Sequence, residues 1–93
     1  MKNKQFSVTG KLEIFDMYAP WTYMRILPRD VPNVMTGGWG SIPVEVTIGK
    51  TTWKTSMFPL PKQEAYFIPV KKQVLKKENL KAGVKATVKY KVA

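Results

Sequence analysis

The chain has 93 residues, 44% of them hydrophobic and 12% aromatic, including three Trp, four Tyr and four Phe. This is enough for one compact core, too little for two, and too apolar and aromatic for a disordered chain. Cysteine and histidine are both absent and the net charge is +10, which excludes disulfides, thiolate zinc sites and every Ser-His or Cys-His nucleophile and leaves folding to packing.

The charge is unevenly placed. Residues 1–49 carry Lys2, Lys4, Lys11, Arg25 and Arg29 against Glu13, Asp16, Asp30 and Glu45, a balance of +1. Residues 50–93 carry eleven lysines against Glu64 and Glu78, a balance of +9. The N-terminal Met-Lys-Asn-Lys-Gln is charged, no apolar segment of signal-peptide type follows it, and no apolar stretch approaches a membrane span. The expectation is a soluble cytoplasmic protein without membrane attachment.

In chain order, Phe6, Val8, Leu12 and Ile14 alternate along Gln5 to Phe15, predicting a half-buried strand with a bulge or bend at Gly10. Asp16 to Pro20 is a connection, and Trp21 to Leu27 reads as a second strand, apolar apart from Arg25, that stops at Pro28. Arg29 to Met35 has room for one helical turn, closed by Gly37-Gly38. Ile42, Val44, Val46 and Ile48 alternate up to Gly49-Lys50, a hairpin turn by composition.

Thr51 to Phe58 is β-rich, Pro59-Leu60-Pro61 is a rigid connection, and Ala65 to Ile68 is a strand that stops at Pro69. Val70 to Asn79 places Val70, Val74 and Leu75 together and predicts the one clear helix, near 70–79. After Gly83, Val84, Ala86, Val88, Tyr90 and Val92 alternate in a last strand. The order in the second half repeats the first: compare Arg25-Ile26-Leu27-Pro28 with Tyr66-Phe67-Ile68-Pro69. Two ββαβ units, about 5–49 and 50–93, therefore predict a single mainly β domain, a closed six-stranded barrel with a pseudo-two-fold axis.

Tyr66-Phe67-Ile68-Pro69, the helix, Gly83 and Val84 to Val88 resemble the AbrB/MazE swapped-hairpin pattern, in which such a segment makes half of a double-split barrel. Over nearly the whole chain, Gly37 to Val46, Trp53-Lys54-Thr55-Ser56 and Ile68 to Lys72 look like the bacterial family described as domain of unknown function 1905. That resemblance implies a small β-barrel of the double-split type and no established activity.

Without histidine or cysteine, and with six carboxylates scattered singly, the sequence predicts a non-enzymatic binding or structural module without cofactor or metal. Gly37-Gly38-Trp39-Gly40 lacks the Gly-Lys-Ser/Thr and the long helix of a phosphate loop and reads as a tight connection. Two binding surfaces are candidates. Lys71, Lys72, Lys76, Lys77 and Lys81, with Lys85, Lys89 and Lys91, could contact nucleic-acid phosphates without reading sequence, or could simply be a solvated face. Trp21, Arg25, Trp39 and Trp53, with Tyr23, could form a barrel-mouth pocket for a small anion or peptide, or Arg25 could pair with Glu45 or Glu13 while the tryptophans fill the core. Partner proteins are not indicated, and a monomer or weak homo-oligomer is expected.

Overall fold

Ile42, Val44, Val46 and Ile48 are separated by Pro43, Glu45 and Thr47, and the period of two in a strand puts the four aliphatic side chains on one face. In the computed structural model, which describes residues 5–15, 21–32, 40–60 and 65–93, all four are buried. Their strand, Ile42–Ile48, is the fourth of seven. The strands are β1 (Phe6–Lys11), β2 (Glu13–Phe15), β3 (Trp21–Ile26), β4 (Ile42–Ile48), β5 (Thr51–Pro59), β6 (Tyr66–Val70) and β7 (Lys85–Val92). One 3₁₀ turn (Pro28–Asp30) and one helix, α1 (Lys72–Lys77), complete the described elements.

All pairings are antiparallel and the strand order is β1-β7-β4-β5-β6-β3-β2, a single sheet that curls into a nearly closed barrel. Exchanging the two halves of the chain maps this pattern onto itself. β3 pairs with its counterpart β6 and β4 with its counterpart β7, while β5 bridges β4 and β6 as β1 and β2 together bridge β7 and β3.

Seven strands replace the six expected because the first is interrupted. Up to Leu12 it follows β7, with the Leu12 N–H donating to the Val84 carbonyl at 3.0 Å, and from Glu13 it pairs with β3. The change of partner falls at Leu12, which turns fully into the core, and not at Gly10. Gly10 stays in register opposite Ala86, and a Cβ there would make only ordinary contact with Met24 Sδ at 3.9 Å, so the strand does not bend at the glycine.

The helix is shorter than its apolar spacing predicts. Val70 belongs to β6, paired with Thr22, and Lys71 is extended (φ −72°, ψ 158°), so α1 begins at Lys72. At the other end Asn79 adopts a left-handed conformation (φ 56°), the Leu80 N–H reaches the Leu75 carbonyl at 2.7 Å and the Asn79 N–H reaches the Lys76 carbonyl at 3.3 Å. This is a Schellman closure with asparagine in the place glycine usually takes. Of the helical turn expected over Arg29 to Met35, the described part is the 3₁₀ turn at Pro28–Asp30, and residues 33–35 lie outside the described residues.

The main core gathers inward-facing side chains from every strand except β2, among them Met24, Ile42, Met57, Ile68 and Val88, and α1 adds Val74. A smaller cluster of Tyr23, Leu60, Ala65 and Phe67 covers the other face of the β3–β6 pair. Tyr90 joins sheet to turn: its ring stacks on Phe6 at 5.4 Å, and its hydroxyl donates to the Asp30 carbonyl. Burial holds the Tyr90 pKa well above the ordinary tyrosine value, with the nearby Asp30 charge adding to the effect. Tyr90→Phe keeps the ring and removes the donor, so chemical denaturation should show a loss of about 1–2 kcal/mol. A smaller loss would mean the hydroxyl does not anchor the turn.

Candidate functional site

β5 is paired along its whole first part with β4, from Ile42–Met57 to Ile48–Thr51, but it meets β6 only at Phe58–Phe67 and Pro59–Tyr66. The next hydrogen-bonding position in that register would set Ser56 opposite Pro69, which has no N–H to donate. The two strands separate there. The opening is a groove of about 620 Å³ that passes from the barrel interior to the outside. That volume is in the range of small-ligand sites.

Each wall is fixed by a different piece of local chemistry. From β5 come Trp53 and Thr55, facing inward, and Phe58 at the point of divergence. From β6 come Pro69 and Val70, and Lys71, Lys72 and Leu75 follow on the segment leading into α1. The helix is held against the start of β5 by Glu78, whose carboxylate accepts from Thr51 Oγ1 at 2.7 Å and from the Lys50 N–H at 3.3 Å. Gly49, at the β4–β5 turn with φ 59°, suits both demands made there, since any Cβ would collide with the Glu78 carboxylate. The third wall is Ile14, Trp21 and Thr22 from β2 and β3.

The groove is apolar with a cationic rim. Ile14 and Trp21 are half exposed, and they are two of the three large hydrophobic side chains left exposed among the described residues, Leu27 being the third. Among the described residues lining it, the charged ones are Lys71 and Lys72, and none is an acid. Trp53 is buried, and its indole N–H meets no acceptor among the described residues.

Trp21 and Trp53, expected to share a pocket, are brought together here. Arg25 is elsewhere. It lies on the outer face of the β2–β3 pair, where its guanidinium donates from Nε to Glu13 Oε2 at 3.0 Å and from Nη2 to Glu13 Oε1 at 2.9 Å, and the Tyr23 hydroxyl donates to the same carboxylate at 3.2 Å. Neither Glu13 nor Arg25 lines the groove, which Ile14, Trp21 and Thr22 reach from the same two strands. Trp39 lies outside the described residues. Glu45, the other acid considered for Arg25, contacts Lys91 at 3.4 Å.

The lysines expected to form one surface divide. Lys71, Lys72, Lys76, Lys77 and Lys81 are all exposed, but only the first two line the groove. Lys85, Lys89 and Lys91 stand on the outer face of β7, in a cross-strand array that sequence reasoning saw only in part. The register places Lys89 beside Ser7 and Thr47, Lys85 beside Lys11, and Lys54 beside Glu45, with Thr9–Thr87 and Thr47–Thr52 hydroxyl pairs at 2.8 Å between them. Among the described residues no group of three His, Cys, Asp or Glu could hold a metal ion, and no helix is long and apolar enough to cross a membrane.

The Arg25 hydrogen bonds hold the Glu13 carboxyl below its ordinary value of 4.5, against the opposing effect of burial. A carboxylate with a lowered folded pKa contributes stability above its unfolded pKa and loses it as pH falls through the folded one. Both partners are about one-third exposed, so the pair is worth under about 1 kcal/mol. Glu13→Gln should therefore be slightly less stable than the parent at neutral pH, with the gap closing below pH 4.5. Thermal melts across that range check it; a constant gap would assign the loss to packing instead.

No curated protein and no solved structure matches the chain. The family model described as a domain of unknown function (DUF1905) matches residues 8–89, from within β1 to within β7. The split and the groove lie inside that span, which omits only the outer ends of β1 and β7, and the protein belongs to the DUF1905 family.

Proposed function

We propose that this protein is a non-catalytic binding module whose open split takes an anionic ligand with an apolar body. The observation that carries the reading is the convergence of Trp21, Trp53 and Leu75 with Lys71 and Lys72 around one groove that has no acid among its described lining residues. Aromatic and aliphatic walls supply the area that drives burial, and two ammonium groups at the rim set the sign of the charge. For catalysis the chain has neither His nor Cys. Its described carboxylates are engaged away from the groove: Glu13 with Arg25, Glu45 with Lys91, Glu78 with Thr51, and Asp30 near Arg29 at 3.8 Å.

Naphthoate is a suitable probe, with the neutral naphthalene methanol as its control, and tryptophan fluorescence is the readout. Naphthoate should bind more tightly than the alcohol. Lys71→Glu combined with Lys72→Glu should remove that preference, and Trp21→Ala should weaken both probes severalfold. Arg25→Ala should leave binding within about twofold, because the guanidinium serves Glu13. Equal binding of acid and alcohol to the parent protein would overturn the reading.

The second reading, contact with nucleic-acid phosphates, is favoured by the outer face of β1, β7, β4 and β5. Lys11, Lys54, Lys85, Lys89 and Lys91 stand there among Ser7, Thr9, Thr47, Thr52 and Thr87, and Glu45 is the one acid on it among the described residues. Lysines and hydroxyls suit phosphate oxygens and carry no base readout. On this reading, duplex DNA binds at low salt with affinity that falls steeply as salt rises, and Lys85→Glu with Lys89→Glu reduces the slope by about two. Absence of binding at low salt would remove it.

A further inference from the structure

We infer that the ligand of the open split is an extended acidic peptide segment that adds as a strand to the free edge of β5. The inference rests on the anionic-ligand reading above and names its occupant.

In an antiparallel ladder successive residues turn their backbone groups to opposite sides. The two-residue turn Gly49-Lys50 makes Ile48–Thr51 the closing hydrogen-bonded pair, so Thr51, Trp53, Thr55 and Met57 bond toward β4. Thr52, Lys54 and Ser56 therefore turn their N–H and C=O groups the other way, toward the split. Among the described residues no backbone group takes them. β6 does not: its pairing with β5 ends at Phe58–Phe67, and its residue at the next bonding position is Pro69, which has no N–H to give the Ser56 carbonyl. From Thr52 to Ser56 this edge runs about 13 Å at the usual strand rise, the length of a short added strand.

The counterpart gap on the other side of the barrel shows what a filled split looks like. There β1 touches β3, Met24 packs against Gly10, and Leu12 is buried between the two pairings. The β5–β6 gap has instead Trp53 and Thr55 inside, Pro69 and Val70 opposite, and lysines at its mouth.

An added strand would present alternate side chains to the two faces. One set would enter toward Trp53, Val70 and Leu75 and must be apolar. The other would face outward near Lys71 and Lys72, where glutamate or aspartate is favoured and lysine or arginine is opposed. Backbone hydrogen bonds to Thr52, Lys54 and Ser56 would supply orientation independently of side chains.

The test uses the full chain and a synthetic capped hexapeptide alternating glutamate with valine and phenylalanine, together with two versions of it, one N-methylated at the glutamates and the other at the apolar residues. A strand bonds through alternate residues only, so one N-methylated version should bind at least tenfold more weakly and the other within about twofold. Amide hydrogen exchange at Thr52, Lys54 and Ser56 should slow on peptide binding. Lys71→Glu with Lys72→Glu should weaken the parent peptide about tenfold while leaving the fold, read by circular dichroism, unchanged. Equal loss in the two N-methylated versions, or no slowing at those three amides, would overturn strand addition. Naphthoate binding without peptide binding would overturn it while leaving the anionic groove standing; binding of neither would remove both. Displacement of naphthoate by a thymidine oligonucleotide but not by the peptide would also overturn it, in favour of a nucleic-acid strand.

Discussion

The missing N–H of Pro69 decides where this barrel opens. β5 and β6 begin an antiparallel ladder at Phe58–Phe67 and Pro59–Tyr66, and the next bond in that register needs a donor that proline lacks. A ladder that loses a bond there leaves the strands free to diverge, and β5 then follows β4 alone. Trp53 illustrates the consequence. Its position opposite Val46 would bury it against a continuous wall in a closed barrel; here it becomes the inner wall of a groove that reaches the surface.

Keeping the split open requires its far wall to be held as firmly as the near one. The helix is only six residues long, too short to be stable by itself, so its position comes from tertiary contacts. Val74 is buried in the core, and Leu75 and Leu80 pack against it. Asn79 closes the C-terminus, and Glu78 ties that closure to the β4–β5 turn through Thr51 and Lys50. The charged start of α1 is thus fixed relative to β5 from its other end. Lys71 and Lys72 owe their place at the rim to a carboxylate nearly two turns away, which makes Glu78 and Gly49 part of the groove's construction although neither lines it.

Much of the architecture is legible in the sequence because it depends on local pattern. The alternation from Ile42 to Ile48, the turn at Gly49-Lys50, the strand stop at Pro28 and the presence of a helix after Val70 are readable from period and backbone chemistry, whereas Pro69, expected to stop its strand, lies inside β6 and pairs with Tyr23. The errors are equally physical. Val70 fits the helical spacing but is claimed by pairing with Thr22, and Asn79 ends the helix by a left-handed conformation that asparagine tolerates and spacing does not reveal. The first strand breaks at Leu12, where the pairing partner changes, and not at the glycine. At the site, Arg25 was conspicuous as a charge in an apolar strand, and Glu13 was one of the acids within its reach. Trp21 and Trp53 are expected from the sequence to share a pocket; what no local pattern contains is their meeting with Lys71 and Lys72. That depends on how far two strands diverge, a property of the assembled barrel.

A free sheet edge is also a hazard, since it can template pairing with another copy of the same chain. The charge distribution bears on this. The half of the chain that supplies two of the groove's three walls carries the +9 excess, and the rim lysines stand where an incoming strand must pass. A second copy would bring a like-charged surface, and Lys54 on the edge itself adds to the repulsion. An acidic segment would meet the opposite condition at every one of these positions. The lysines that make the edge unattractive to its own kind thus select the kind of strand it can accept, and protection and specificity require the same side chains rather than competing for them.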